Sequence, residues 1–70
     1  MKPITQSELR SLTLIAKGHS AKDAAKVAGL SPWTVKDQVK RAIKSLKASN
    51  ATHAVVIAII GGIIKPEDLQ

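Results

Sequence analysis

Twice in the middle of this chain a serine closely follows a glycine: Gly18-His19-Ser20 and Gly29-Leu30-Ser31. Glycine accepts the left-handed backbone that closes a helix, and a serine oxygen accepts from the free N–H groups that open the next one. Ser31 is followed by Pro32, and proline suits the first helical position, where its missing N–H is no loss. The chain is thus cut into short helices joined by tight turns. Adjacent helices must therefore cross and pack on one another.

The flanking sequence fills in the helices. Thr5-Gln6-Ser7-Glu8 reads as a capping box, and Leu9, Leu12, Ile15 and Ala16 follow at helical spacing. This places helix 1 over about residues 6 to 17, with Gly18 as its left-handed stop. Helix 2 starts at the Ser20 cap, has Asp23 in its first turn and runs to about Ala28. Its inward residues, Ala24, Ala25 and Ala28, are small enough for another helix to cross closely. Gly29 stops it, and Leu30 is expected to pack back into the core.

Helix 3 opens at Ser31-Pro32 and carries Val35, Val39, Ala42, Ile43 and Leu46 as one apolar stripe. Opposite lie Trp33, Lys36, Asp37, Lys40, Lys44 and Lys47. Helix 4 begins at Ser49 or Asn50 and ends at Gly61-Gly62. Val55, Val56, Ile57, Ile59 and Ile60 would also suit a strand, but one strand without a partner strand in the chain is not a stable unit. The expected fold class is all-α with four helices, a single domain over residues 1–70 with its core in 4–64. Pro66-Glu67-Asp68 is expected to sit in a frayed tail over 65–70.

Composition narrows the function. The net charge is +6, and the segment from Lys17 to Lys47 holds all of that excess. A localised basic surface favours phosphate through counterion release, whereas a dispersed one serves solubility. No cysteine is present, which excludes disulfides and thiolate metal sites and fits a reducing cytoplasm. Met1-Lys2-Pro3 lacks the apolar stretch of a signal peptide, and the apolar run from Ala54 to Ile64 is too short to span a bilayer. His19 and His53 are the only imidazoles and are well separated. With few carboxylates and no glycine-rich phosphate loop, neither catalysis nor a metal or other cofactor is expected.

Helix 2, a tight glycine turn and helix 3 together form a helix-turn-helix pattern. One helix fits the major groove of B-DNA, and the helix before it braces it across the backbone. The stripe that would face the groove is polar and basic, as that role requires. The free N–H groups above Ser20 and Ser31 point the same way.

The chain resembles the LuxR-type (GerE-like) helix-turn-helix domain. The resemblance is carried by Thr5, Glu8, Leu12, Ala16, Gly18, Ser20, Lys22-Asp23, Ala25, Gly29-Leu30-Ser31, Thr34-Val35-Lys36, Val39, Leu46, Ala54-Val55, Ala58 and Gly62-Ile63-Ile64. It needs no gap from Ile4 to Ile64. It implies a four-helix domain in which helix 3 enters the major groove and helix 4 serves dimerisation. Matched one by one, base-reading positions fall on Lys36, Asp37 and Lys40, and phosphate-touching positions on Ser31, Thr34 and Lys22. Arg41 and Lys44 extend this basic surface and are counted with the DNA contacts. Gln38 stands where the family often has histidine, Ala51 where it often has arginine, and Lys47 where it commonly has glycine.

Individual residues carry competing readings. Lys36 and Lys40, one turn apart, can donate to guanine O6/N7 or to phosphate, or they can remain solvated. Asp37 can accept from cytosine N4 and repel phosphate, or it can pair with Arg41 at i+4. Trp33 lies on the basic stripe, where it can touch sugar or a thymine methyl, or lie over a lysine stem. In helix 4, Ala51, Ala54, Val55, Ala58 and Gly62 suit the core. A second, mostly apolar stripe of His53, Val56, Ile57, Ile60 and Ile64 suits a two-fold dimer with Val56, Ile57 and Ile60 at its centre. Its alternative is burial against helix 1 and the tail.

The expected function is a stand-alone, sequence-specific transcription regulator of bacterial or phage type, cytoplasmic and associated with the nucleoid. The alternative is an anti-activator that pairs through helix 4 with a full-length LuxR-type regulator. The partners that fit are double-stranded DNA, a second copy, and another LuxR-type regulator or RNA polymerase. No sensor or receiver domain lies in these residues, so control is expected through abundance or a partner.

Overall fold

The computed structural model describes residues 4–70, and among these it contains helices and no strand. The helices are α1 (Gln6–Ala16), α2 (Ala21–Ala28), α3 (Pro32–Ser45) and α4 (Ala51–Ile60), followed by a 3-10 turn over Pro66–Leu69. Each α-helix starts at a side-chain cap. Thr5 and Glu8 form the reciprocal box, with Glu8 N–H donating to Thr5 Oγ1 at 3.2 Å and Thr5 N–H to Glu8 Oε1 at 3.3 Å. Ser20, Ser31 and Asn50 accept from the N–H groups of Asp23, Thr34 and His53. Asn50, rather than Ser49, is thus the cap of α4.

The helices also end alike. After α2, Gly29 takes the left-handed conformation at φ 71°, and Leu30 N–H donates back to the Ala25 carbonyl at 2.8 Å. After α3 the same reversal occurs at Lys47, φ 55°, with Ala48 N–H on the Ile43 carbonyl at 2.9 Å. A lysine therefore holds a backbone conformation that usually falls to glycine.

Helices α1 and α3 form the centre of the fold, because both take part in both halves of the core. One half joins α1, α3 and α4 through Leu12, Ala42, Ala54, Ala58 and Ile64. The other joins α1, α2 and α3 through Leu14, Ala24, Ala25 and Val35. Alanine supplies most of these buried positions, so the axes approach closely and little core volume comes from large side chains. Buried Ser11 adds one polar tie, donating its hydroxyl to Oε1 of Gln38 on α3.

Four expectations need correction. Leu30 does not return to the core; it is 36% exposed, because the left-handed turn at Gly29 directs its N–H, not its side chain, inward. Gly62 is exposed and supplies a turn at φ 75° rather than core packing. That turn brings Ile64, assigned above to the outward stripe, back into the core at 1% exposure. The tail is not frayed: Lys65 N–H donates to Asp68 Oδ2 at 3.0 Å, and Leu69 packs against the core beside α1.

Candidate nucleic-acid interface

The Ser31 cap positions the start of α3. Its hydroxyl accepts from Thr34 N–H at 3.1 Å and lies 2.8 Å from the Thr34 hydroxyl, so the two oxygens sit together at the helix entrance. Pro32 then fixes the first turn. From there the outward face of α3 presents Trp33, Lys36, Asp37 and Lys40, which line one open groove. Val39 and Ile43 form the part of its lining that leans toward the core. Ile15 comes from the end of α1.

Two further residues of this groove, Ala21 and Ala51, are the first residues of α2 and α4. The N-termini of both helices therefore border the face presented by α3. Their first-turn N–H groups that lack helical partners, with the positive end of each helix dipole, add to the attraction for anions along the flanks of α3. The border supplied by α4 went unnoticed in the sequence. The available signal was Ala51 itself, which occupies a position where the family often has arginine.

Lys36 and Lys40 are exposed, and neither forms an ion pair among the described residues. Asp37 does: its Oδ2 lies 3.0 Å from Arg41 Nε, an i,i+4 pair on the helix surface. Lys22, Lys44 and Arg41 are also exposed but lie outside the groove lining, as do Ser31 and Thr34. Trp33 is 73% exposed and belongs to neither half of the core. No cluster of three or more His, Cys, Asp or Glu residues suited to a metal occurs among the described residues.

A second surface lies on α4. Val56, Ile59 and Ile60 are exposed, Ile60 at 82%, while Ile57 is half-buried. Ile59 was not among the residues assigned to this face from the sequence. His53 is exposed and closes the first turn of α4, with its Nδ1 accepting from Ser49 N–H at 3.0 Å. No helix among the described residues is long and apolar enough to cross a membrane.

Four α-helices and no strand among the described residues, with a short second helix, a glycine turn and a basic third helix, define a helix-turn-helix DNA-binding module. Residues 2–58 match the family described as bacterial regulatory proteins, luxR family, and the chain belongs to that family. It is similar to the transcriptional activator protein VanR of Vibrio anguillarum, at 38% identity over 63 residues, which is 90% of this chain and 26% of that protein. It is likewise similar to the uncharacterized transcriptional regulatory protein YxjL of Bacillus subtilis (strain 168), at 38% identity over 64 residues, 91% of this chain and 29% of that protein. The chain thus spans under a third of the length of these curated relatives. No solved structure matches the sequence.

Proposed function

We propose that this domain binds duplex DNA sequence-specifically by laying α3 in the major groove, and that it does so as a homodimer in the control of transcription. The observation that carries the reading is the row Trp33, Lys36, Asp37 and Lys40 on one groove of α3, bordered by the N-termini of α2 and α4. Lys36 and Lys40 are the donors toward guanine, and Asp37 is the acceptor for cytosine N4. Ser31, Thr34, Lys22, Arg41 and Lys44 hold the backbone phosphates and set the register. The exposed apolar face of α4 supports pairing of two copies, which would set two α3 helices in successive major grooves roughly 34 Å apart.

Selection from a randomised duplex library tests this, run near physiological salt with competitor DNA. Salt matters because a protein of net charge +6 binds any DNA when screening is weak. Enrichment of an inverted repeat with half-sites about one helical turn apart is the expected result. A single short site would retain recognition and discard the dimer. Absence of any enrichment would overturn DNA reading. It would favour the alternative in which the exposed Ile60 face of α4 pairs with a larger LuxR-type regulator.

A further inference from the structure

The groove along α3 is basic at its rim but mostly apolar in its lining. Trp33 stands at one end with its ring in solvent, and Val39, Ile43, Ala21 and Ala51 contribute hydrocarbon around Lys36 and Lys40. A groove built only to hold phosphate has no use for an exposed indole or an aliphatic floor. Leaving that indole in water forgoes one of the largest apolar burials any side chain offers. Pro32 and the Ser31 cap hold the backbone beneath it, so the ring is carried on a fixed turn rather than on a loose loop.

Only one apolar group projects from base edges into the major groove: the C5-methyl of thymine. Lys36 lies three residues from Trp33, and Lys40 seven, so all three share one helical face. We propose that Trp33 is a specificity-determining residue that seats a thymine methyl in each half-site, beside bases read by Lys36 and Lys40. The chemical class of the preferred site is then a thymine next to guanine, with the apolar indole matched to the thymine methyl and the lysine cations to guanine. This inference rests on the docking of α3 in the major groove.

The test replaces each thymine of the enriched duplex, one at a time, by deoxyuridine. This removes one methyl and leaves pairing, O4 and charge unchanged. Affinity is expected to fall about fourfold at one position per half-site, the equivalent of one buried methyl group. Trp33→Ala is expected to bind thymine and uracil duplexes equally at that position. Trp33 is exposed and outside the core, so the variant retains the fold, which circular dichroism verifies. It is also the only tryptophan, so its fluorescence reports this site alone and should shift less with the uracil duplex than with the thymine duplex. A domain that enriches a site yet ignores every thymine-to-uracil change overturns this inference and leaves DNA recognition standing. The same holds if Trp33→Ala keeps the full discrimination, because another residue then reads the methyl. A domain that enriches no duplex overturns the docking, and the inference falls with it.

Discussion

Ser11, wholly buried in α1, donates its hydroxyl hydrogen to Oε1 of Gln38 on α3. This polar bond sets α1 against the recognition helix at the residue after Asp37, so the rotation of α3 about its axis is tied to the core. A buried donor is costly to leave unmade, whereas a half-buried amide can turn toward water.

The two single variants should therefore be unequal. Gln38→Ala strands the Ser11 hydroxyl and is expected to cost about 1–3 kcal/mol, the penalty for an unsatisfied buried polar group. Ser11→Ala removes the donor and is expected to cost less, because Gln38 retains access to solvent. The double variant should cost less than the sum of the two. Urea denaturation of the four proteins measures this, and strict additivity would mean that the bond does not couple the helices.

Lys47 provides a second stability test. Its φ of 55° places a side-chain-bearing residue in the left-handed region at the end of α3, where α2 uses Gly29 and α4 is followed by Gly62. Lys47→Gly should relieve a strain of roughly 1–2 kcal/mol, partly offset by the greater freedom of glycine in the unfolded chain. Each net kcal/mol raises Tm by about 4–8 °C in a domain of this size. Calorimetry should thus record a higher Tm, and a lower one would assign a stabilising contact to the lysine side chain.

Signals confined to a few neighbouring residues were legible in the sequence. The caps at Thr5, Ser20 and Ser31, the glycine stops and the face of α3 that holds Lys36 and Lys40 all follow from spacing within one or two turns. The misread residues depend on where the chain goes next. Ile64 is spaced as if it belonged to the outward stripe of α4, but the turn at Gly62 carries it back among Leu12, Ala42 and Ala58. Leu69 likewise finds the core only because the 3-10 turn lies against α1. The approach of Ala21 and Ala51 to one groove is a property of how three helices pack, and no local pattern in either helix records it.

Helix α4 carries the prediction on oligomeric state. Val56 and Ile60 lie one turn apart on its exposed side, with Ile59 beside them. Ile60→Glu places a charge at a site already 82% exposed, so folding should be unaffected. A charge buried between two copies would be unpaired and would disfavour association strongly. Sedimentation should thus give a dimer for the natural sequence and a monomer for both Ile60→Glu and Val56→Glu. A monomeric natural protein, or an unchanged mass in both variants, removes the α4 interface.

Asp37 is the acidic residue in the groove of α3, and Arg41 Nε holds its Oδ2 at 3.0 Å. An exposed i,i+4 pair contributes at most about 1 kcal/mol to stability, so Asp37→Ala should barely change Tm. Its effect on DNA should be larger and of two signs. Loss of the carboxylate removes an acceptor for cytosine N4, which relaxes preference at that base, and removes a repulsive charge, which strengthens binding to random duplex. It also frees Arg41 from its ion pair, so the hold of that guanidinium on phosphate should tighten and a plot of log K against log salt should steepen. Titrations of specific and random duplexes over a salt series read all three effects. Weaker binding to every duplex would instead make Asp37 a positioning residue, whose task is to hold Arg41 where the backbone needs it.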